Sequence, residues 1–144
     1  MAKKPEKIYI NPNAEWHQMD ASSKVLGRLA TDVAGLLLGK HRTDYAANLV
    51  SPVYVIVTNA ENLKVTGAKM EDKKYYRYSG YPGGIRSRSL REQMERDPCK
   101  VIEDAVMGML PKNSLRPRRL QHLKIYTGME HPHEAQIKAV IKKD

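Results

Sequence analysis

The sequence predicts an α/β domain, and three observations carry that prediction. An apolar stripe with helical period runs through 26–37. A short β-branched run, Val53–Thr58, is apolar on both faces, as a central strand of an α/β sheet is. Further short strand and helix signals follow along the chain, with no internal repeat and no inter-domain linker. At 144 residues and 41% apolar content the chain is long enough to bury a core and too apolar to be wholly disordered.

Taken in order, residues 1–14 read as an extended arm, because Pro5 and Pro12 break any helix. Residues 15–144 read as one domain. A short strand is expected at 16–20. Ser22 or Ser23 offers an N-cap for the helix that follows. Leu26, Leu29, Ala30, Val33 and Leu37 recur at i, i+3, i+4, i+7 and i+11 along that helix, and Gly39 is placed to end it in a left-handed cap. Pro52 stands at the start of the 53–58 strand, where a missing donor is tolerated. After the Asn59-Ala60-Glu61-Asn62 turn a further short strand is expected at 63–66, ending at Gly67.

Residues 73–91 contain no acid. Lys73, Lys74, Arg77, Arg86, Arg88 and Arg91 are interleaved there with Tyr75, Tyr76, Tyr78 and Tyr81. Gly80-Tyr81-Pro82-Gly83-Gly84 is punctuation, so this part reads as a loop. Ser89-Leu90-Arg91-Glu92 is a capping box opening a helix to about residue 96. Asp97-Pro98 starts another, with Val101, Ile102, Ala105, Val106 and Met109 as its apolar face. A last short strand is expected at 123–126, and a helical or frayed tail after Glu134.

Charge narrows the partner. Lys plus Arg number 25 against 16 Asp plus Glu, a net charge of +9. The excess is concentrated in 73–91 and in 105–129, where Lys112, Arg116, Arg118, Arg119 and Lys124 again stand without an acid. Uncompensated positive charge repels itself unless an anion sits against it, and a nucleic-acid backbone is the densest common anion. Lys and Arg hold phosphates while Tyr76 and Tyr78 stack on bases or touch the backbone. The alternative is a solvated basic surface with tyrosines packed on the domain, but charge, aromatics and flexible glycines coincide here. Lys40 and His41 are cations at a helix C-terminus, placed to touch phosphate.

Other chemistries are disfavoured. Gly35-Leu36-Leu37-Leu38-Gly39-Lys40 is one residue short of a phosphate loop, lacks Ser/Thr after the lysine, and is the helix's own apolar face. His131-Pro132-His133-Glu134 invites a metal reading. Zinc needs three or four ligands, however, and only His17, His41 and His122 are available to complete a set without a cysteine pair. No metal and no cofactor are expected. The single Cys99 forms no internal disulfide and points to a reducing compartment. The N-terminus lacks an apolar signal core, and the longest apolar run, 36–38, is too short for a bilayer, so no membrane partner is expected. Nothing in the spacing of His17 and Asp20 marks a catalytic pair, and no small-molecule substrate is expected.

Three stretches together resemble one family, the large-subunit ribosomal protein uL13 (L13). They are Asp20-Ala21 with Leu26-Gly27-Arg28-Leu29-Ala30; Asn59-Ala60 with Val65-Thr66-Gly67-Ala68-Lys69; and Gly108-Met109-Leu110-Pro111-Lys112-Asn113 with Tyr126, Gly128 and His131-Pro132-His133-Glu134-Ala135-Gln136. Order and spacing match over about residues 16–136, and the ending resembles bacterial or organellar members. The chain departs from the pattern at Tyr45-Ala46-Ala47-Asn48, Ser51-Pro52 and Arg116-Pro117. The resemblance implies a small, mainly parallel central sheet between helices, a three-layer α/β/α arrangement with extended basic loops and a terminal arm. It further implies a structural, non-catalytic place in the large subunit of a cytoplasmic or organellar ribosome. There the chain would bind 23S-type rRNA early in assembly beside neighbouring large-subunit proteins. The RNA-contacting set expected is Lys73, Lys74, Tyr76, Arg77, Tyr78, Arg86 and Arg88; Lys112, Arg116, Arg118, Arg119 and Lys124; Lys40 and His41; Arg28 and Lys69 from the family-like motifs; and His131 and His133, which fix the C-terminal turn or hydrogen-bond RNA. A free-standing RNA-binding regulator would use the same patches, and a nucleotide-utilising α/β enzyme is a third, weaker reading.

Overall fold

A computed structural model of the chain describes residues 14–141, so all of the expected arm except residue 14 lies outside the described residues. The central sheet has three parallel strands in the order β1 (Glu15–Asp20), β2 (Val53–Thr58) and β5 (Leu123–Ile125), with β2 in the middle. His17 pairs with Val55, and Val55 with Leu123. A strand flanked on both sides and covered on both faces must be apolar throughout, which is why 53–58 lacks the alternation of a surface strand.

Helix α1 (Leu26–Leu38) and helix α4 (Pro98–Met109) pack together, and α1 also packs on β2. Leu29, Ala30, Val33, Val53, Val55, Val57, Val101, Ile102 and Val106 are all fully buried in one cluster. On the opposite face Ile56 is also fully buried. There the Trp16 ring stacks on Tyr54 at 4.5 Å and lies 5.3 Å from His133, at the entry to α6 (Glu134–Ile141). Helix α6 packs against β1. Helices thus flank the sheet on both sides, as the expected three layers require.

The chain before α1 differs from the expected cap. Ser22 and Ser23 lie in a 3-10 turn, Ala21–Ser23, where Asp20 Oδ1 accepts from the Ser22 N–H at 2.9 Å. Val25 is the N-cap residue and has no side-chain bond to give. Instead the Leu26 N–H donates to the Lys64 carbonyl at 2.9 Å, so a distant backbone group satisfies a donor the serines were expected to cap. That contact also explains 63–66, which makes one isolated bridge, Val25 to Lys64, rather than a strand. Gly39 ends α1 as expected, with φ of 76°. A Cβ there would also meet Ser51 Oγ at 2.6 Å, so both backbone and space require glycine.

Residues 69–96 connect this core to its own helix α4. After α2 (Lys69–Asp72), strands β3 (Lys74–Tyr78) and β4 (Ile85–Ser89) pair antiparallel, so the segment read as a loop is a β-hairpin. Glycine and proline confine themselves to its tip, where Gly84 N–H donates to the Tyr81 carbonyl at 2.9 Å. Helix α3 (Leu90–Arg96) opens with the expected capping box between Ser89 and Glu92. Asp97 caps α4, its Oδ1 accepting from the Lys100 N–H at 3.1 Å. Helix α5 (Arg116–Gln121) precedes β5 and has Pro117 in its first turn.

Candidate nucleic-acid interface

The hairpin sorts its side chains by strand alternation. Lys74, Tyr76 and Tyr78 share one face with Ile85, Ser87 and Ser89. Tyr76, Tyr78 and Ile85 are 68%, 65% and 64% exposed, a row of ring and aliphatic surface with nothing of the described chain on it. The other face carries Tyr75 and Arg77 opposite Arg88 and Arg86. Tyr75 turns inward against the core and fixes the hairpin's base, and burial raises its phenol pKa. Lys73 Nζ lies 5.2 Å from the Tyr75 ring centroid, within cation–π range.

Arg77 and Arg86 are directly paired across the strands. Like charges opposite one another destabilise a hairpin. No acidic side chain forms an ion pair with Lys74, Arg77, Arg86 or Arg88 among the described residues, whereas nearby Arg91 pairs with Glu71 at 3.3 Å and Lys100 with Glu103 at 2.8 Å. The unpaired arginines line one wall of an open groove of about 1020 Å³, whose other wall is Gln93, Arg96, Asp97, Lys100 and Asp104 at the α3–α4 junction. Planar guanidinium forks on the groove face suit phosphates, and exposed rings on the hairpin's other face suit flat bases.

The second expected basic face is thinner than its sequence suggests. Arg116, Arg118 and Arg119 sit on helix α5, not on an irregular turn. Adjacent helical positions point about 100° apart, so Arg118 and Arg119 project to different sides of α5. Arg118 is exposed, whereas Arg119 is only 2% exposed. The Arg119 Nη2 donates to the Ala47 carbonyl at 3.0 Å and to the Leu49 carbonyl at 3.1 Å. The expectation that Arg119 grips phosphate is therefore corrected: it is a buried brace for the loop after α1. Lys112 is exposed, and Arg116 and Lys124 are half-buried.

A family model described as ribosomal protein L13 matches residues 14–132. The chain belongs to the ribosomal protein L13 family. Its relatives include the large ribosomal subunit protein uL13 of Thermobifida fusca, 54% identical over 122 residues that cover 85% of this chain and 82% of that one. The corresponding protein of Micrococcus luteus is 52% identical over 122 residues, covering 85% and 83%. That of Neisseria gonorrhoeae is 50% identical over 128 residues, covering 89% and 90%. Membership of the L13 family makes this a protein of a bacterial-type large ribosomal subunit.

The remaining expected contacts fall in separate places on this L13 domain. Lys69 and Lys73 line a depression of about 610 Å³ beside Met109, and Arg28 lines one of about 410 Å³ with Lys24 and Asp32. Lys40 is exposed just past Gly39. His41 bonds instead to Glu15, Nε2 to Oε2 at 3.0 Å. His131 and His133 build the C-terminal turn: the His133 N–H donates to His131 Nδ1 at 3.3 Å, and the His133 ring lies against Trp16 and Tyr126. Burial lowers the pKa of His133 and that of His122, which stacks on Tyr54 at 4.3 Å with Nδ1 3.2 Å from the Val53 carbonyl. Sequence reasoning missed this Trp16–Tyr54–His122 ladder because its rungs meet only across paired strands. Ile85 was missed as well, although its register opposite Tyr78 follows once the hairpin is recognised.

Proposed function

We propose that this chain is a structural, non-catalytic constituent of the large ribosomal subunit that holds 23S-type rRNA through its hairpin and supports early assembly of the subunit. The observation that carries the reading is the Arg77–Arg86 cross-strand pair, unneutralised and flanked by exposed Tyr76 and Tyr78. Such a pair costs stability in the free protein and becomes favourable only when a polyanion lies in the groove. Lys74 and Arg88 extend the phosphate-binding wall. Lys112, Arg118 and Lys124 form a second, smaller contact, and Lys40, Lys69 and Arg28 add peripheral charge. Neighbouring large-subunit proteins meet what the RNA leaves uncovered. No helix among the described residues is long and apolar enough to cross a membrane, and the proposed place of action is the ribosome in the cytoplasm.

Sedimentation of a lysate tests this directly. The protein is expected to track with large subunits and their precursors, and its depletion should leave subunits stalled at an early, light stage. Recovery of the protein wholly in the ribosome-free fraction would overturn the reading.

A further inference from the structure

Among the described residues, one group of potential metal ligands converges: Glu15, His17 and His41, whose ligand atoms all lie within 4.8 Å of one another. The fold brings them together from separated sequence. Glu15 and His17 are two apart on edge strand β1 and therefore project to the same side. His41 arrives from the turn just beyond Gly39 at the end of α1. Glu15 Oε2 is 3.0 Å from His41 Nε2 and 3.7 Å from His17 Nε2. In a tetrahedral zinc site with bonds near 2.0–2.1 Å, neighbouring ligand atoms stand about 3.3 Å apart, between these two separations. The His17 and His41 rings are nearly perpendicular, 86° apart with centroids 5.4 Å apart, so their nitrogens approach the carboxylate oxygen from different directions.

Three further features fit a cation. His17 Nε2 is buried without a hydrogen-bond partner, and an occluded, unsatisfied imidazole nitrogen is an unusual thing to leave without a ligand. Arg42 Nη1 donates to the other carboxylate oxygen, Glu15 Oε1, at 2.6 Å, which orients Oε2 toward the imidazoles as an outer-shell donor orients a metal ligand. The Arg42 charge does not defeat the site. Asp44 accepts from its Nε at 2.7 Å and from its Nη2 at 2.8 Å, so Arg42, Asp44 and Glu15 together carry one net negative charge with both histidines neutral. The arginine also supplies no ligand of its own, leaving the open side of the cluster to water.

We infer that Glu15, His17 and His41 form a divalent-cation site of the zinc class, with a water in the fourth position. Two imidazoles and one carboxylate suit Zn²⁺ better than the oxygen-seeking Mg²⁺ or Ca²⁺. The role is structural: the ion ties edge strand β1 to the C-terminal end of α1, and so braces the sheet beside the point where the N-terminal residues enter. Sequence reasoning had assembled its metal candidates around His131 and His133, which the fold instead commits to the C-terminal turn.

The test uses the full chain, freed of nucleic acid by nuclease and high salt and stripped of metal by chelation. Equilibrium dialysis against Zn²⁺ alone should load about one equivalent, and thermal unfolding should shift upward with Zn²⁺ concentration. Co²⁺ in place of Zn²⁺ should give the intense visible bands of four-coordinate cobalt. Outer-shell changes typically cost 10–100-fold in metal affinity, so loss of a direct ligand in His17→Ala or His41→Ala should weaken Zn²⁺ binding by more than about tenfold. The paired variant His131→Ala, His133→Ala should bind as the parent does. The inference is overturned if the parent chain takes up no stoichiometric Zn²⁺, if His17→Ala and His41→Ala bind it undiminished, or if the His131/His133 variant loses it instead.

Discussion

Replacing Arg77 and Arg86 by glutamine should move two properties in opposite directions. In the free protein the two arginines stand at directly paired positions of β3 and β4 with no ion-pair partner among the described residues. Their removal relieves a like-charge pair. For a chain of this size the relief corresponds to a rise in Tm of about 1–2 °C. On RNA the same change removes two phosphate contacts. Each contact contributes about 0.7–0.9 to the slope of log K against log salt, so the double variant should flatten that slope by about 1.4–1.8. Filter binding of a 23S-type rRNA fragment across a salt series measures the slope, and thermal denaturation of the RNA-free protein measures the stability. Single variants should each give about half the change in slope. An unchanged slope would refute the groove as a phosphate site. A fall in Tm would refute the claim that the pair is strained until an anion arrives.

Three other outcomes follow from the geometry of single residues. Arg119→Ala should destabilise the fold by about 2–4 kcal/mol, because it removes a buried side chain and strips its charged hydrogen bonds from the Ala47 and Leu49 carbonyls; it should leave the salt slope of RNA binding unchanged. Arg118→Ala should do the reverse, lowering the slope by about 0.7–0.9 with no change in the urea midpoint. His122 supplies a pH dependence. Burial holds its pKa below 6.5 in the folded state, so the unfolded chain binds more protons as pH falls below that value. Stability is then full above about pH 6.5 and declines on acidification toward the depressed folded value. Urea midpoints should fall between about pH 7 and pH 5.5, and His122→Gln should flatten that fall.

What was legible in the sequence was what short-range pattern determines. The 26–37 stripe, the Gly39 stop, the Ser89–Glu92 box and the Asp97-Pro98 start each depend on residues within a turn or two, and each stands where the pattern puts it. The both-faces-apolar character of Val53–Thr58 announced a central strand because flanking strands and covering layers leave it no wet side. The hairpin was hidden for the opposite reason. Its outer face is exposed and its groove face charged, so Lys74 to Tyr78 lack the apolar alternation that marks a half-buried strand, and the glycines of the tip dominated the reading. The N-cap of α1 escapes the sequence because its first N–H, that of Leu26, is satisfied by the Lys64 carbonyl, far along the chain. Among the proposed contacts, charge patterning marked 73–91 as a basic segment but could not tell Arg118 from Arg119. That distinction depends on helix phase and on the carbonyls of a loop some 70 positions away. The Glu15–His17–His41 convergence was equally invisible, since it needs β1 and the end of α1 to be placed side by side.

We propose the hairpin as the part of this L13-family chain that holds RNA inside the large subunit. Photocrosslinking of RNA to protein in purified large subunits, with the crosslinked peptides mapped by mass spectrometry, tests it most directly. Crosslinks concentrated at 73–91, with Tyr76 and Tyr78 among the modified residues, are expected. Crosslinks confined to the rest of the chain, with both tyrosines open to solvent reagents in the intact subunit, would contradict it.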